Sequence, residues 1–232
     1  MPDKQTILAI GAHAADVELT AGAALMKHIA AGWEAHIAHI SLGEKGHPTL
    51  GVDAYAQQKR VEAEKAAQLI GARAHFLPFR DGEIELTWDI VEALVGVIRE
   101  VKPCVVVTHW RESIHPDHTA TYHLTRKALF VAGNPHFSLH GPAHSVSGIY
   151  FAENWEDPDE FEPYVYVDVS DVMKGWECAV KSYELVRGDV VDYPYWDYYA
   201  SLTRMRGIQI GVDHAQAFNV DTLRKRHITN LL

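Results

Sequence analysis

Short apolar runs alternate with longer stretches of helical periodicity through the first two thirds of the chain, which predicts a parallel sheet with crossover helices. Residues 6–10, Thr-Ile-Leu-Ala-Ile, read as the first strand. A helix follows from about Glu18 to Ala31, ending at Gly32, a residue free to take the left-handed turn that closes helices. Residues 35–41 read as a second strand, and 42–48 as a loop punctuated by Gly43, Gly46 and Pro48. Strong helix formers fill 53–70 and stop at Gly71. A short third strand is expected at 75–78, a helix at 88–101 that stops before Pro103, and a fully apolar fourth strand at 104–108. Pro116 suits the first position of a helix reaching about Val131. Segments 149–151 and 164–169 read as two further strands, and helices over 171–186 and 194–206 complete the pattern. With no repeat, low-complexity tract or linker, one domain is expected.

Two motifs sit where a strand-like run gives way to a helix-like one. His13-Ala14-Ala15-Asp16 follows the first strand, and His115-Pro116-Asp117-His118 follows the fourth. Ligands of open α/β sheets bind outside the carboxyl ends of the strands. Loops converging there would offer His13, Asp16 and His118 to one ion, the donor set of an open catalytic zinc site. Each motif has a plainer reading. Asp16 and Glu18 suit the positive end of a helix dipole, and Pro116-Asp117 suits any helix start. Two such motifs at two strand-to-helix junctions make the shared ion the better account. Asp117 can then orient a histidine ring through its free N–H.

Composition narrows the partners. The 232 residues are 47% hydrophobic and 22% charged, as in ordinary globular proteins. A net charge of −10 argues against nucleic acid or an anionic membrane as partner, since both need a basic surface. No apolar run approaches a membrane span and the N-terminus has no signal pattern, so a cytoplasmic protein is expected. Cys104 and Cys178 fall in apolar and helical runs and are expected as buried thiols rather than a disulfide. Histidine, at 15 residues, is the compositional outlier. His28, His36, His39, His75 and His140 nevertheless have no clustered partner in the sequence.

The chain resembles the PIG-L/LmbE-like zinc-dependent deacetylases of N-acetylglucosamine-type substrates. The specific elements are His13-x-x-Asp16 and His115-Pro116-Asp117-His118. Ile10-Gly11-Ala12 before the first motif, Ser41-Leu42-Gly43-Glu44, the spacing Glu62–Ala66–Ile70-Gly71, Asp81-Gly82 and Gly211-Val212-Asp213 with Phe218 support them. The resemblance implies a Rossmann-like, mostly parallel sheet with helices on both faces. It implies Zn²⁺ on His13, Asp16 and His118, with His115 polarising the carbonyl or protonating the amine and Asp117 as its orienting partner. The implied partner is a small molecule, an N-acetyl amino sugar or its conjugate.

One position departs from the family pattern. The first motif normally reads His-Pro-Asp-Asp, with its first aspartate as general base, and here that position is Ala15. Another carboxylate substitutes, the chemistry differs, or the protein binds a ligand at its metal without turnover. Substitutes expected to face the substrate are Glu44, Asp53 and Glu153, the last in the acidic and aromatic segment 151–157. The aromatic run 193–199 is open to a sugar-stacking wall or the contact of a homo-oligomer, with packing favoured because aromatics bury large areas.

Overall fold

β1 (Thr6–Gly11) is buried along its whole length, and its side chains alternate between two cores. Leu8 and Ile10 face one cluster with Val91, Leu94 and Leu124, whereas Ile7 and Ala9 face another with Leu25, Ala67 and Ile70. A strand covered on both faces is the mark of a central parallel strand between helical layers. The structure, a computed structural model, describes residues 5–157 and 159–221.

In chain order β1 is followed by α1 (Asp16–Ala30), β2 (Glu34–His39), α2 (Val52–Ile70), β3 (Arg73–Phe76) and α3 (Trp88–Val101). Then come β4 (Val105–Thr108), α4 (Pro116–Ala132), β5 (Gly148–Ala152) and β6 (Val165–Asp168). The rest are α5 (Met173–Val180), α6 (Glu184–Arg187), α7 (Tyr195–Ile210) and β7 (Ala215–Val220). The sheet order is β3-β2-β1-β4-β5-β7-β6. Pairing is parallel from β3 through β5, while β7 runs antiparallel to both β5 and β6. The chain winds outward from β1 to β3 and then resumes on the other side at β4. The carboxyl ends of β1 and β4 therefore flank the switch point, where such sheets open a crevice.

Most predicted elements stand within a residue or two of their expected limits, and the α/β class with a mostly parallel sheet holds. Some do not. The pattern of 215–220 does not announce β7, because Gln216 and Asn219 interrupt its apolar residues; both are buried. Their amides are used internally: Gln216 accepts from Ala24 N and donates to Leu19 O, and Asn219 donates to Glu162 O. The helix expected over 171–186 is broken into α5 and α6 around Tyr183. β3 starts two residues early, and α7 continues to Ile210. Both cysteines are free, but Cys104 is only partly buried and Cys178 is exposed, against expectation.

The histidines expected to stand alone also find partners across the fold. His36 meets His75 at 2.8 Å, His39 meets Glu18 at 2.9 Å, and His140 lies 3.5 Å from Glu92. Among the described residues, no helix is long and apolar enough to cross a membrane.

Candidate metal centre

The loop after β1 folds back on itself before α1 begins. Ala15 adopts φ 92° and ψ −25°, a left-handed turn, and the Asp16 carboxylate accepts the backbone N–H of His13 at 2.7 Å. The approach is tight. A Cβ on Gly11 would come within 3.2 Å of Val17 Cγ1 and 3.3 Å of both Asp16 Cβ and the His13 carbonyl, so a larger residue there would crowd the loop. The second motif starts α4 as predicted. His115 is its N-cap, and its Nδ1 accepts the Asp117 N–H at 3.2 Å, with Pro116 in the first turn. That bond fixes the neutral His115 tautomer with hydrogen on Nε2, the nitrogen left for the cleft.

Asp16 Oδ2 is the hub of the site. It lies 3.3 Å from His13 Nδ1, 3.4 Å from His118 Nε2 and 3.2 Å from His109 Nε2. His109 is excluded as a ligand through that nitrogen, because its lone pair accepts the Ala12 N–H at 3.0 Å. His118 Nε2 is buried and has no hydrogen-bond partner among the described residues. An orphaned imidazole nitrogen beside a carboxylate and a second imidazole is what a cation site requires. Among the described residues the metal-capable trios are His13, His115 and His118; Asp16, His109 and His118; and His13, Asp81 and Asp117. Each contains His13 or His118, whose ring centres lie 5.4 Å apart.

The outer contacts orient the candidate ligands. His13 Nε2 faces Asp117 Oδ2 at 3.1 Å and Asp81 Oδ1 at 3.2 Å. Asp117 Oδ2 is itself pinned by the Gly82 N–H at 2.7 Å, and Asp81 by the Lys45 N–H at 2.9 Å. Asp117 thus orients His13 rather than His115, which it meets only through its backbone. His118 Nδ1 faces Ser113 Oγ at 3.4 Å, Glu156 at 3.5 Å and Asp157 at 3.7 Å. Such carboxylate-backed imidazoles are the usual outer layer of a metal site.

Electrostatics point the same way. Burial opposes charge on Asp16, yet His118 and His13 draw its carboxyl well below the ordinary range. Burial likewise opposes charge on His118, but Asp16 lifts it to about 9, and Asp16 and Asp117 lift His13. His115 moves the other way: burial, then the charges of His13 and His118, push it down and keep it neutral. A pocket so rich in carboxylates holds positive charge at the two imidazoles where a cation would stand.

The centre opens into a cleft of about 180 Å³. Its walls include Lys59, Asp81, His115, Glu156, Trp155 and Tyr195. The expected substitute carboxylates lie elsewhere. Glu44 is turned behind the wall, where one oxygen accepts the Asp81 N–H at 3.2 Å. Asp53 is exposed in the first turn of α2. Glu153 is held by Arg206 through both carboxylate oxygens, 2.8 Å to Nε for one of them. The carboxylate of segment 151–157 that does line the cleft is Glu156. The aromatic run divides its roles: Tyr195 lines the cleft, and Tyr199 lines it too while donating to Asn154 at 2.7 Å. Asp81, His109 and Glu156 lack a motif of their own; the signals were the family-like Asp81-Gly82 pair and, for Glu156, its place in the acidic segment 151–157.

Comparison with known proteins places this geometry. A family model described as GlcNAc-PI de-N-acetylase, PIG-L, matches residues 8–129. The 4-oxalmesaconate hydratase of Pseudomonas putida is 27% identical over 218 residues, covering 89% of this chain and 81% of that protein. The diacetylchitobiose deacetylase of Thermococcus kodakarensis is 27% identical over 195 residues, covering 78% and 70%. Among solved structures, a conserved protein of Thermus thermophilus, TT1542, superposes with a TM-score of 0.82 at 26% identity, over 93% of this chain and 94% of that one.

Proposed function

Since the chain belongs to the PIG-L family, the family of GlcNAc-PI de-N-acetylase, we propose that it is a zinc-dependent hydrolase that removes an acyl group from a small N-acetylated amino sugar or conjugate. The observation that carries this reading is the unpartnered, buried Nε2 of His118 beside Asp16 and His13. His13, Asp16 and His118 would hold the ion through two imidazoles and a carboxylate, a set suited to Zn²⁺. When bound, zinc polarises a carbonyl and brings the pKa of its water to about 7.

The protein's own groups do the rest. Asp117 and Asp81 hold the His13 ring in one orientation, and Asp157 and Ser113 face the far nitrogen of His118. His115, neutral with its Nε2–H toward the cleft, donates to the oxygen that gains charge as the amide carbon becomes tetrahedral. Of the carboxylates that line the cleft, Asp16 is assigned to the ion and Asp81 faces His13, which leaves Glu156 to take a proton from the attacking water, in the role for which Ala15 has no group. Trp155 and Tyr195 form an apolar wall suited to a ring face.

A second reading is favoured by Ala15 itself. Without the usual base, addition of water to an activated double bond is an alternative use of the same centre. The relative aligned over 89% of this chain is a hydratase. One experiment separates the two. Metal content is measured on the purified chain. Acetate release from N-acetylglucosamine and diacetylchitobiose is then compared with loss of ultraviolet absorbance from conjugated unsaturated dicarboxylates. Acetate release supports the hydrolase, absorbance loss alone supports the hydratase, and neither with full metal leaves a ligand binder.

A further inference from the structure

His13-Ala14-Ala15-Asp16 is a reverse turn, closed by the Asp16 N–H on the His13 carbonyl at 3.4 Å. Ala15, its third residue, has φ 92° and ψ −25°, whereas Ala14 keeps a negative φ, so the turn is of type II. That class asks for glycine or asparagine at the third position, because its central peptide is turned over relative to type I. Two alanines specify the opposite. In the type I form both would take near-helical angles and, as strong helix formers, extend α1 backwards. Something outside the loop holds the Ala14–Ala15 peptide over.

Lys59 does so from α2. Its Nζ donates to the Ala14 carbonyl oxygen at 2.6 Å, and both residues are buried, Lys59 at 2% exposure. Among the described residues no carboxylate pairs with this ammonium, and the Ala14 carbonyl is its one hydrogen-bond partner. The ring centres of Tyr183 and Tyr55 lie 4.9 and 6.0 Å from it. Burial pushes its pKa down, and the more distant charges of Asp16, Glu62, Glu18 and Asp81 oppose that. A buried lysine without a paired anion is costly in desolvation, where an apolar side chain of the same length would pack without that penalty. Its one polar contact is the bond that sets the orientation of the strained peptide. A charged donor in a buried site makes a strong hydrogen bond, enough to offset left-handed strain at a single alanine. The backbone angles of Ala14 and Ala15 are what separate His13 from Asp16. The same bond therefore governs how those side chains face each other, 3.3 Å apart at Nδ1 and Oδ2.

We propose that Lys59 is a positioning residue for the metal centre: its hydrogen bond to the Ala14 carbonyl holds the turn in the type II form and so places His13 and Asp16. The proposal rests on the reading of those two side chains as ligands. It gives a role to a buried charge that lines the cleft and takes no part in the chemistry set out above.

The test combines Lys59→Met, which keeps the length of the side chain and removes the donor, with Ala15→Gly, which frees the left-handed angle. Zn²⁺ affinity is measured by competition with a chromophoric chelator, and coordination by the visible spectrum of the Co²⁺ form. Crystal structures of the metal-free variants show the turn itself. Lys59→Met should turn the Ala14 carbonyl over and bring Ala15 to negative φ. Zn²⁺ affinity should then fall about 10–100-fold, because only chains with the type II turn bind well, and the Co²⁺ bands should change. Adding Ala15→Gly to Lys59→Met should regain about tenfold. The same change should move wild-type affinity far less, since the turn is already held there; a lysine that only filled space would give equal effects in both backgrounds. Either an unturned Ala14 carbonyl or wild-type affinity in Lys59→Met would overturn the proposal, and so would equal effects of Ala15→Gly. If Lys59→Met does not fold, folding and affinity recovered in the double variant support the proposal, and failure of both variants overturns it. Should the wild type bind no Zn²⁺, the reading of the ligands fails separately, and the turn is judged from the metal-free structures. A carbonyl that turns over in Lys59→Met and returns in the double variant upholds the clamp, and any other pattern overturns it.

Discussion

Asp117 and His13, 104 residues apart, meet through Oδ2 and Nε2 at 3.1 Å, so a residue of the second motif orients a candidate ligand of the first. The two loops are thereby one device, and neither can be altered alone. Asp117→Asn keeps an oxygen for the Gly82 N–H but removes the charge behind the imidazole. It should lower Zn²⁺ affinity about 10–100-fold while leaving the fold intact. His118→Ala should abolish binding, from about one equivalent per chain to none. Metal analysis after dialysis, with a chelator titration for Asp117→Asn, checks both. Undiminished affinity in either variant would remove the assigned centre.

His115 should separate metal from turnover. Its Nδ1 is used by the Asp117 N–H, which leaves it a donor rather than a ligand. His115→Ala should retain zinc and lose about 10²–10³ in kcat, the usual cost of removing one donor to a developing oxyanion. The same change deletes an N-cap worth about 1 kcal/mol, so His115→Asn, which restores a capping oxygen, is the control for stability. Loss of zinc in both variants would make His115 a ligand.

Acid should weaken the fold through a site far from the cleft. Burial, then the neighbouring charges of His75 and Arg73, lower the pKa of His36, and burial likewise lowers His75. Both folded-state values lie below the unfolded imidazole value of about 6.5. As pH falls through that value, the unfolded chain takes up protons that the folded pair refuses, so stability declines with acid and rises with pH. His75→Gln can keep the 2.8 Å contact to His36 while removing one titrating ring. Its urea midpoint, measured on metal-free protein at about pH 7.5 and about pH 5.5, should fall less than that of the wild type. Parallel declines would show that the pair does not titrate across folding.

The contrast between these sites shows what a linear sequence can carry. The strand-to-helix junctions at His13 and His115 were legible because apolar runs, Pro116 and the acidic first turns are local signals, and sheet topology then dictates that the junctions meet. Asp117 facing His13, His39 facing Glu18, and His36 facing His75 depend on pairings between distant elements, for which no local pattern exists. β7 was hidden for a related reason. Gln216 and Asn219 read as surface residues until their amides are seen to satisfy backbone groups inside the fold. Glu153 and Glu156 were indistinguishable by composition. Arg206, from a helix fifty residues later, takes the first and leaves the second to the cleft.

Ala15 gives the sharpest test of the chemistry. Its side chain lines the cleft beside Asp16, in a left-handed turn that aspartate tolerates better than alanine. If no carboxylate serves as base, Ala15→Asp should raise acetate release from an N-acetylated sugar tenfold or more, within the range of about 10²–10⁴ that a general base contributes. If Glu156 already serves, Glu156→Gln should lose a comparable factor with zinc retained. Ala15→Asp should then gain little, because two nearby carboxylates raise each other's pKa. The double variant decides between them. Recovery of activity when Ala15→Asp is added to Glu156→Gln would show that the two positions supply the same proton acceptor by different routes. A silent Glu156→Gln beside a large gain from Ala15→Asp would instead remove Glu156 from the mechanism. Under the hydration reading the signs reverse: Ala15→Asp would add acetate release while reducing water addition to an unsaturated dicarboxylate. The same four proteins therefore distinguish a rebuilt deacetylase from a centre whose chemistry has changed.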